Sequence, residues 1–234
     1  MLKLVGRDAA PGSNTHLAAL ERVDERLRWL AVWTIHNANH LRESRDGLKV
    51  GGHQASSASV ATLMTALYFD VLQPADRVAV KPHASPIFHA IQYLLGRQSR
   101  EKLERFRAYG GAQSYPSRTK DSDDVDFSTG SVGLGVAMTA FASLVQDYVR
   151  LKRLTGADRP AGRMVAIVGD AELDEGNVWE AIGDETIRGT RLGNVLWIVD
   201  LNRQSLDRVI PGIKVQEMEA LFRDRKSTRL NSSH

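Results

Sequence analysis

The sequence contains no cysteine, which excludes a disulfide framework, a thiolate metal site and a cysteine nucleophile. No apolar run approaches the ~20 residues that a membrane-spanning helix needs, and the start, MLKLVGRDAAPGS, lacks the apolar segment of a secretory signal. Internal repeats and low-complexity segments are also absent. The 234 residues include 42% hydrophobic and 25% charged residues, enough for one folded domain. We therefore expect a soluble cytoplasmic protein with no membrane partner.

The basic charge depends largely on the last eleven residues, DRKSTRLNSSH. This segment, 224–234, has no apolar periodicity and resembles the translation of a common sequencing-library adapter, so we expect it to be non-native. Arg225, Lys226 and Arg229 stand against Asp224 and contribute +2 of the formal charge of +3. The remainder gives little support to a nucleic-acid partner, which requires basic residues clustered on one face. A basic binding module stays as an alternative that rests on the pI near 9.3 alone.

The rest of the chain divides into a polar lead-in, residues 1–13, and one domain, residues 14–223, which we expect to be truncated at its C-terminal end. Residues 14–42 have helical periodicity, with Asn14 or Thr15 as the cap. A second helix is predicted over Ser59 to Leu72, and Ser99 to Tyr109 is predicted as a charged helix that covers the domain surface. The polar stretch 110–126 is long for a loop inside a compact domain, so we expect it to be either the wall of a functional site or disordered.

The most informative stretch runs from Met164 to Asp207. An apolar run at 164–168 stops at Gly169-Asp170, a helical segment follows, and a second apolar run at 194–199 stops before Asn202. Two short strands joined by one helix form a βαβ unit, whose strands are parallel. The carboxyl ends of such strands open on one edge of the sheet, where ligands bind. Asp170 and Asn202 are therefore expected side by side, as hard oxygen ligands suited to Mg²⁺ and a phosphate ester.

Two histidines and a glycine-rich turn lie at comparable positions. His53 follows Gly51-Gly52 before a predicted helix, and His83 lies between a predicted strand at 77–80 and the helix that Pro86 begins. A third site, Gly130 to Gly135, opens a long helix over about 136–151. Its glycine spacing is not that of a dinucleotide-binding turn, and no strand directly precedes it. The pattern predicts an α/β fold with a doubly wound, mainly parallel sheet and helices on both faces.

Several motifs together resemble the transketolase-like superfamily of thiamine diphosphate-dependent enzymes. The pattern GD followed about thirty residues later by N resembles the cofactor motif of that superfamily. Six blocks in the same order resemble its homodimeric pyruvate dehydrogenase (acetyl-transferring) type: GGHQASSAS, PHASPIF, QSYPS, FSTGSVGLG, VGDAELDEGNVWEA and LNRQSLD. The similarity spans roughly residues 26–222, as the diphosphate-binding domain.

The resemblance implies specific roles, residue by residue. Mg²⁺ would be held by Asp170, the side chain of Asn202 and the backbone carbonyl of Gln204. His53 and His83 would contact substrate and cofactor as the catalytic residues of this domain. The further cofactor contacts implied are Ser56, Tyr115, Gly133, Leu134, Gly169, Ala171 and Glu172. Glu175 and Glu180 resemble buried carboxylates that couple two active sites across a dimer.

The activity implied is that of a 2-oxo acid dehydrogenase component. Such an enzyme decarboxylates pyruvate or a close homologue such as 2-oxobutyrate and passes the acyl group to a lipoyl-bearing acyltransferase. The resemblance also implies a homodimer with the cofactor at the interface, and a pyrimidine-binding domain after Phe222, so we expect this chain alone to be inactive. A transketolase acting on sugar phosphates and an inert fragment are the alternatives. Ala171, Lys81 and Val132 depart from the usual Gly, Gln and larger apolar residue, which leaves the 2-oxo acid open.

Overall fold

The computed structural model describes residues 13–44, 46–121, 123–154, 160–184 and 194–202, with four short pieces at 204–205, 208–209, 216–217 and 219–220. The predicted lead-in, except residue 13, and the predicted non-native tail lie outside these ranges. Ile187, in the helical segment predicted between the two apolar runs, is also outside them. None of the helices in the described ranges combines the length and hydropathy needed to cross a membrane.

The first half of the chain is mostly helical. Helix α1 (Asn14–His36) runs into a π-helical turn (Asn37–Leu41), and Ser13 caps it by accepting a hydrogen bond from the His16 N–H. The prediction of Asn14 or Thr15 as the cap was therefore wrong by one or two residues. The next elements are α2 (Gln54–Ala58), α3 (Ala61–Ala66) with a π-helical turn (Leu67–Val71), β1 (Arg77–Ala79), a 3₁₀ turn (Pro82–Ala84), α4 (Ser85–Leu94) and α5 (Arg100–Glu104).

The second half contains the remaining strands of the sheet. Its elements are α6 (Leu134–Leu151), β2 (Met164–Gly169), a 3₁₀ turn (Asp170–Asp174), α7 (Gly176–Gly183), β3 (Val195–Asp200), β4 (Gln204–Ser205) and β5 (Arg208–Val209). Strands β4 and β5 form a separate antiparallel pair. The predicted strand–helix–strand unit over 164–199 is confirmed at β2, α7 and β3.

The main sheet has the order β1-β2-β3, and both pairings are parallel. Ala79 pairs with Ala166, and Gly169 pairs with Asp200 at the carboxyl end. Every residue of β2 is buried, as expected for a central strand covered on both faces. All three strands therefore end at one edge of the sheet, the edge at which the sequence predicted a ligand.

Helices cover the sheet on both sides, which confirms the predicted doubly wound α/β fold. On one face Val78, Val165 and Ile167 pack in a core with residues of α1, α3 and α4. On the other face Ala166 and Val168 pack with residues of α6 and α7. Alternate residues of β2 thus serve opposite cores, because successive side chains of a strand point to opposite faces.

Two helix predictions were only partly right. The predicted helix at 59–72 begins two residues late, as α3 at Ala61, and ends in a π-helical turn at Val71, while the separate helix α2 before it was not predicted. The predicted surface helix at 99–109 ends at Glu104, and Phe106 is fully buried while Arg107 has a left-handed backbone, with φ of 60°. The segment is therefore amphipathic: Leu103 and Phe106 are buried in the core, while Glu101, Arg105 and Tyr109 are exposed.

Candidate active site

The carboxyl edge of the sheet gathers charged side chains that are buried. Lys81 follows β1 and is 4% exposed, Asp170 follows β2 and is 2% exposed, and Asp200 ends β3 and is 9% exposed. Burying a charge is costly unless it is paired or coordinates a metal. Such a cluster at the ligand-binding edge indicates a functional site.

Glu172 joins two segments of this edge. One of its carboxylate oxygens accepts a hydrogen bond from the Gly169 N–H at 2.6 Å, and the other accepts one from the Gly133 N–H at 3.0 Å. The end of β2 and the turn before α6 are thereby held to one buried carboxyl group. Burial raises the pKa of Glu172, although both backbone N–H groups and nearby Lys81 oppose this shift.

The Gly133 turn requires glycine for two reasons. Its φ of 78° is in the left-handed region, which side chains with a Cβ rarely adopt. A Cβ there would also lie 2.7 Å from Asn177 Oδ1 and 2.9 Å from Glu175 Cβ. The backbone of the turn thus lies directly against the segment that follows Glu172, and Leu134 begins α6 immediately after it. Lys81, Gly133 and Glu172 line a narrow cleft between these segments.

Lys81 and Asp200 form a buried ion pair. Lys81 Nζ lies 2.6 Å from Asp200 Oδ2, the oxygen that also accepts a hydrogen bond from Ser59 Oγ at 2.6 Å. Asn202 Nδ2 lies 3.4 Å from the same oxygen. Lys81, which stands where the family usually has glutamine, thus has a partner in the structure: its positive charge is paired with the Asp200 carboxylate at the end of β3.

The two predicted histidines lie in contact. The His53 and His83 ring centroids are 4.2 Å apart, and the His83 ring lies 6.0 Å from that of Tyr115. Arg107 is close enough to depress the pKa of both histidines, and its Nη1 donates to the Val50 carbonyl at 2.7 Å. Its Nε is buried and has no hydrogen-bond partner in the structure. The structure thus brings His53, His83 and Tyr115 together, as the sequence predicted. Arg107 was not predicted to lie there.

Both histidines are held neutral near pH 7. Partial burial, the neighbouring His53 and the cations Lys81 and Arg107 lower the pKa of His83 to about 4. The pKa of His53 is lowered by burial and by the same two cations. Neutral imidazoles next to cationic groups can donate one hydrogen bond each, and they gain protons more readily when an anion binds beside them.

The predicted metal ligands lie at the ends of neighbouring strands. Asp170 Oδ1 accepts a hydrogen bond from the Ala171 N–H at 3.0 Å, and Asn202 lies two residues beyond β3. Gln204 begins β4, which contacts the 170–174 turn. Within the described ranges no three His, Cys, Asp or Glu side chains form a metal-binding group. One carboxylate, one amide and one backbone carbonyl nevertheless match the oxygen preference of Mg²⁺.

The remaining predicted residues have less distinctive surroundings. Ser56 is half-buried in α2, at the end of the segment that carries His53. Among the non-glycine residues in the described ranges, positive φ angles occur at Arg107 and Arg153 and not at Ala171. The backbone at Ala171 therefore does not require the glycine that is usual there. Glu175 and Glu180, which resemble buried coupling carboxylates, are exposed in the single chain. Val132 is half-buried beside the Gly133 turn.

Three residues of the site were not predicted from the sequence. Arg107 was assigned to a surface helix, and neither Asp200 nor Ser59 was recognised. Asp200 offered a usable signal, because it is an acidic residue at the end of an apolar strand. Arg107 offered none, since its position depends on the left-handed turn that ends the helix after Glu104.

Replacing Glu172 with glutamine tests its bridging role. An amide offers one oxygen, so in Glu172→Gln one of the two backbone N–H groups faces an NH₂ donor. We expect a loss of about 1–3 kcal/mol in the free energy of unfolding and faster hydrogen exchange at Gly133 or Gly169. Urea unfolding and amide exchange by NMR provide the measurement. The exposed Glu180→Gln is the matched control, and equal stability of the two variants would contradict the bridge.

Lys81 should control the protonation of His83. Because the pKa of His83 is lowered in the folded state, the unfolded chain takes up a proton first as the pH falls. Stability is therefore expected to decrease from about pH 6.5, the unperturbed value, towards about pH 4. Lys81→Gln removes a cation and should raise the His83 pKa in an NMR titration. Lys152→Gln, at the far end of α6, should leave it unchanged; an unaltered His83 pKa in Lys81→Gln would refute the coupling.

Comparisons with known proteins identify the family of this chain. A family model described as 1-deoxy-D-xylulose-5-phosphate synthase matches residues 38–233. The pyruvate dehydrogenase E1 component of Escherichia coli (strain K12) is 29% identical over 212 residues, which are 86% of this chain and 23% of that protein. The corresponding component of Cupriavidus necator is 31% identical over 214 residues, again 86% and 23%. The chain thus spans about a quarter of the length of these relatives.

Solved transketolase structures share the fold. Transketolase from Leishmania mexicana superposes with a TM-score of 0.68 at 20% identity, covering 80% of this chain and 28% of that one. Transketolase from Campylobacter jejuni gives 0.68 at 21% identity, covering 84% and 31%. The family match covers well over half of the chain. The chain therefore belongs to the N-terminal-domain family of 1-deoxy-D-xylulose-5-phosphate synthase, within the thiamine diphosphate-dependent transketolase-like superfamily of enzymes.

Proposed function

We propose that this chain holds the magnesium–diphosphate half of a thiamine diphosphate site in an enzyme that decarboxylates pyruvate or a close homologue such as 2-oxobutyrate. The observation that supports this most is the meeting of three strand ends at one edge, where Asp170, Asn202 and the His53–His83 pair are gathered. Curated relatives named as pyruvate dehydrogenase E1 components favour the 2-oxo acid.

Asp170, Asn202 and the Gln204 carbonyl would hold Mg²⁺, leaving other coordination positions for diphosphate oxygens and water. The Asp170 side chain is buried, so a cation bound to it would be largely shielded from water. Gly133, Leu134, Gly169, Ala171 and Glu172 would form the wall next to the diphosphate. In that wall Glu172 acts indirectly, because both of its oxygens already accept backbone N–H groups.

The histidine side of the site would receive the reacting end of the ligands. Thiamine diphosphate, when bound, supplies the carbanion chemistry of the reaction. His53 and His83 are neutral near pH 7, so each can donate a hydrogen bond to a substrate carboxylate and can take up a proton. Tyr115 would limit access beside His83, and the unpaired Nε of Arg107 adds a cationic donor on the same side.

We also propose that the active protein is a homodimer whose cofactor lies at the subunit interface, and that a lipoyl-bearing acyltransferase accepts the acyl group. Both statements rest on the likeness to pyruvate dehydrogenase components. A sugar-phosphate reaction is the second candidate, favoured by the family description and the transketolase fold. The full-length protein, loaded with Mg²⁺ and thiamine diphosphate, can be offered pyruvate, 2-oxobutyrate and a ketose phosphate in parallel: release of CO₂ supports the first proposal, and ketose cleavage supports the second.

Cofactor binding tests the metal ligands directly. Titration calorimetry of the 234-residue chain with thiamine diphosphate should show binding that depends on Mg²⁺. Asp170→Asn should weaken it at least about tenfold, since even outer-shell residues of metal sites contribute that much. Asp174→Asn, an exposed carboxylate of the same turn, should bind as the wild type does. Binding that is independent of Mg²⁺, or an equal loss in both variants, would refute the assignment.

A further inference from the structure

A second buried charge cluster lies behind the histidine pair. His89 is in α4, one and a half turns beyond His83, and its side chain is fully buried, as is that of Asp123. Asp123 belongs to the 110–126 segment, which has no helix or strand of its own in its described part. The cluster is separate from the residues that would hold the cofactor, and the mechanism does not use it.

The hydrogen-bond partners of His89 indicate which of its two ring nitrogens carry a proton. Its Nδ1 lies 2.6 Å from Asp123 Oδ2, and its Nε2 lies 3.0 Å from the backbone carbonyl of Gln113. A carbonyl oxygen can only accept, so Nε2 must carry a proton. Asp123 accepts a further hydrogen bond on its other oxygen, from Gln98 Nε2. Two acceptors at the two ring nitrogens are satisfied together by an imidazolium, and the second hydrogen bond to Asp123 favours its carboxylate form.

The surroundings of the pair connect it with both walls of the candidate site. Through the Gln113 carbonyl and Asp123, His89 holds both ends of the segment that contains Tyr115. The Phe106 ring lies 6.3 Å from the His89 ring, and Phe106 directly precedes Arg107. His89 therefore contacts the segments that carry Tyr115 and Arg107.

Other contacts within the same segment, and one with α4, also fix its shape. Asp121 accepts hydrogen bonds from the Gln113 and Ser117 N–H groups, and Ser85 Oγ donates to the Ser114 carbonyl at 2.5 Å. These contacts enclose Tyr115 between two anchored points. Asp121 also faces His89 electrostatically, so two carboxylates, Asp121 and Asp123, act on the ring from this segment.

We propose that His89, with both ring nitrogens protonated, acts as a positioning residue: with Asp123 it clamps the 113–123 segment to α4 and thereby holds Tyr115 against His83. The charge state stands on the hydrogen-bond geometry alone. The effect on ligand binding rests on the proposed function.

Nitrogen-15 NMR of the histidine-labelled protein tests the charge state without any variant. At pH 7.5, where an unperturbed histidine is mostly neutral, both nitrogens of His89 should be protonated. Its cross-peaks can be assigned by sequential connectivity. An unprotonated Nδ1 or Nε2 at that pH would overturn the imidazolium, since the proton would then lie on Asp123 or be absent.

Asp123→Asn tests the clamp, and Asp124→Asn is its matched control. Asp124 is the next residue, exposed, and paired with Arg97 on the surface at 3.0 Å. In Asp123→Asn we expect a neutral His89, loss of the nuclear Overhauser contact between Tyr115 and His83, and faster exchange of the Ser117 amide. The control should retain all three properties of the wild type.

The ligand readout separates this proposal from the proposed function. If the wild type binds Mg²⁺–thiamine diphosphate, Asp123→Asn should weaken that binding about tenfold, as does the loss of residues that orient the contacting side chains. Asp124→Asn should not weaken it. An Asp123→Asn protein that keeps the Tyr115–His83 contact, or that binds as tightly as wild type, would overturn the positioning role. Absence of binding in the wild type would instead count against the proposed function and leave the NMR readouts to decide. Should Asp123→Asn fail to fold, Gln98→Leu takes its place with the same readouts. This variant removes the second hydrogen bond of Asp123 together with other contacts of Gln98, such as the hydrogen bond that its Oε1 accepts from the Ser99 N–H.

Discussion

The candidate site depends on one buried carboxylate that accepts two backbone N–H groups. Glu172 holds the end of β2 and the left-handed Gly133 turn at a fixed separation. Without it, two buried N–H groups would lose their acceptors, and each unsatisfied group costs about 1–3 kcal/mol. Asp170 directly follows Gly169 at the end of β2, and α6 begins directly after Gly133. The bridge therefore sets the position of the proposed metal ligand relative to a long helix.

Charge is distributed unevenly over the site. On the strand edge, Lys81 is neutralised by Asp200 in a pair that is shielded from water. On the histidine side, Arg107 has a buried nitrogen without an acceptor, and both imidazoles are kept uncharged. The Lys81–Asp200 pair is thus balanced in charge, whereas the histidine side has an excess of donors. An anionic group is the natural complement of that second side.

The ligand-binding edge could be predicted from the sequence because short apolar runs form buried strands and parallel strands end at one edge. The positions of Asp170, His53 and His83 were predicted in this way. The failures share a cause as well. Arg107 and His89 act through contacts between segments far apart in the sequence, and the break after Glu104 depends on the burial of Phe106. Local periodicity contains no information about such contacts, so charged residues that look solvated can be core residues. The assigned roles of individual residues at the site remain proposals.

The buried links at this edge join distant parts of the chain. Glu172 and Gly133 are 39 residues apart, Lys81 and Asp200 are 119 apart, and Ser59 and Asp200 are 141 apart. Each link closes a long loop, which costs entropy before the contact can contribute. The edge can therefore exist only after β1, β2 and β3 have all assembled. A ligand that binds there stabilises the completely folded chain and no partly folded form. Binding of a ligand at this edge would thus show that the chain is completely folded.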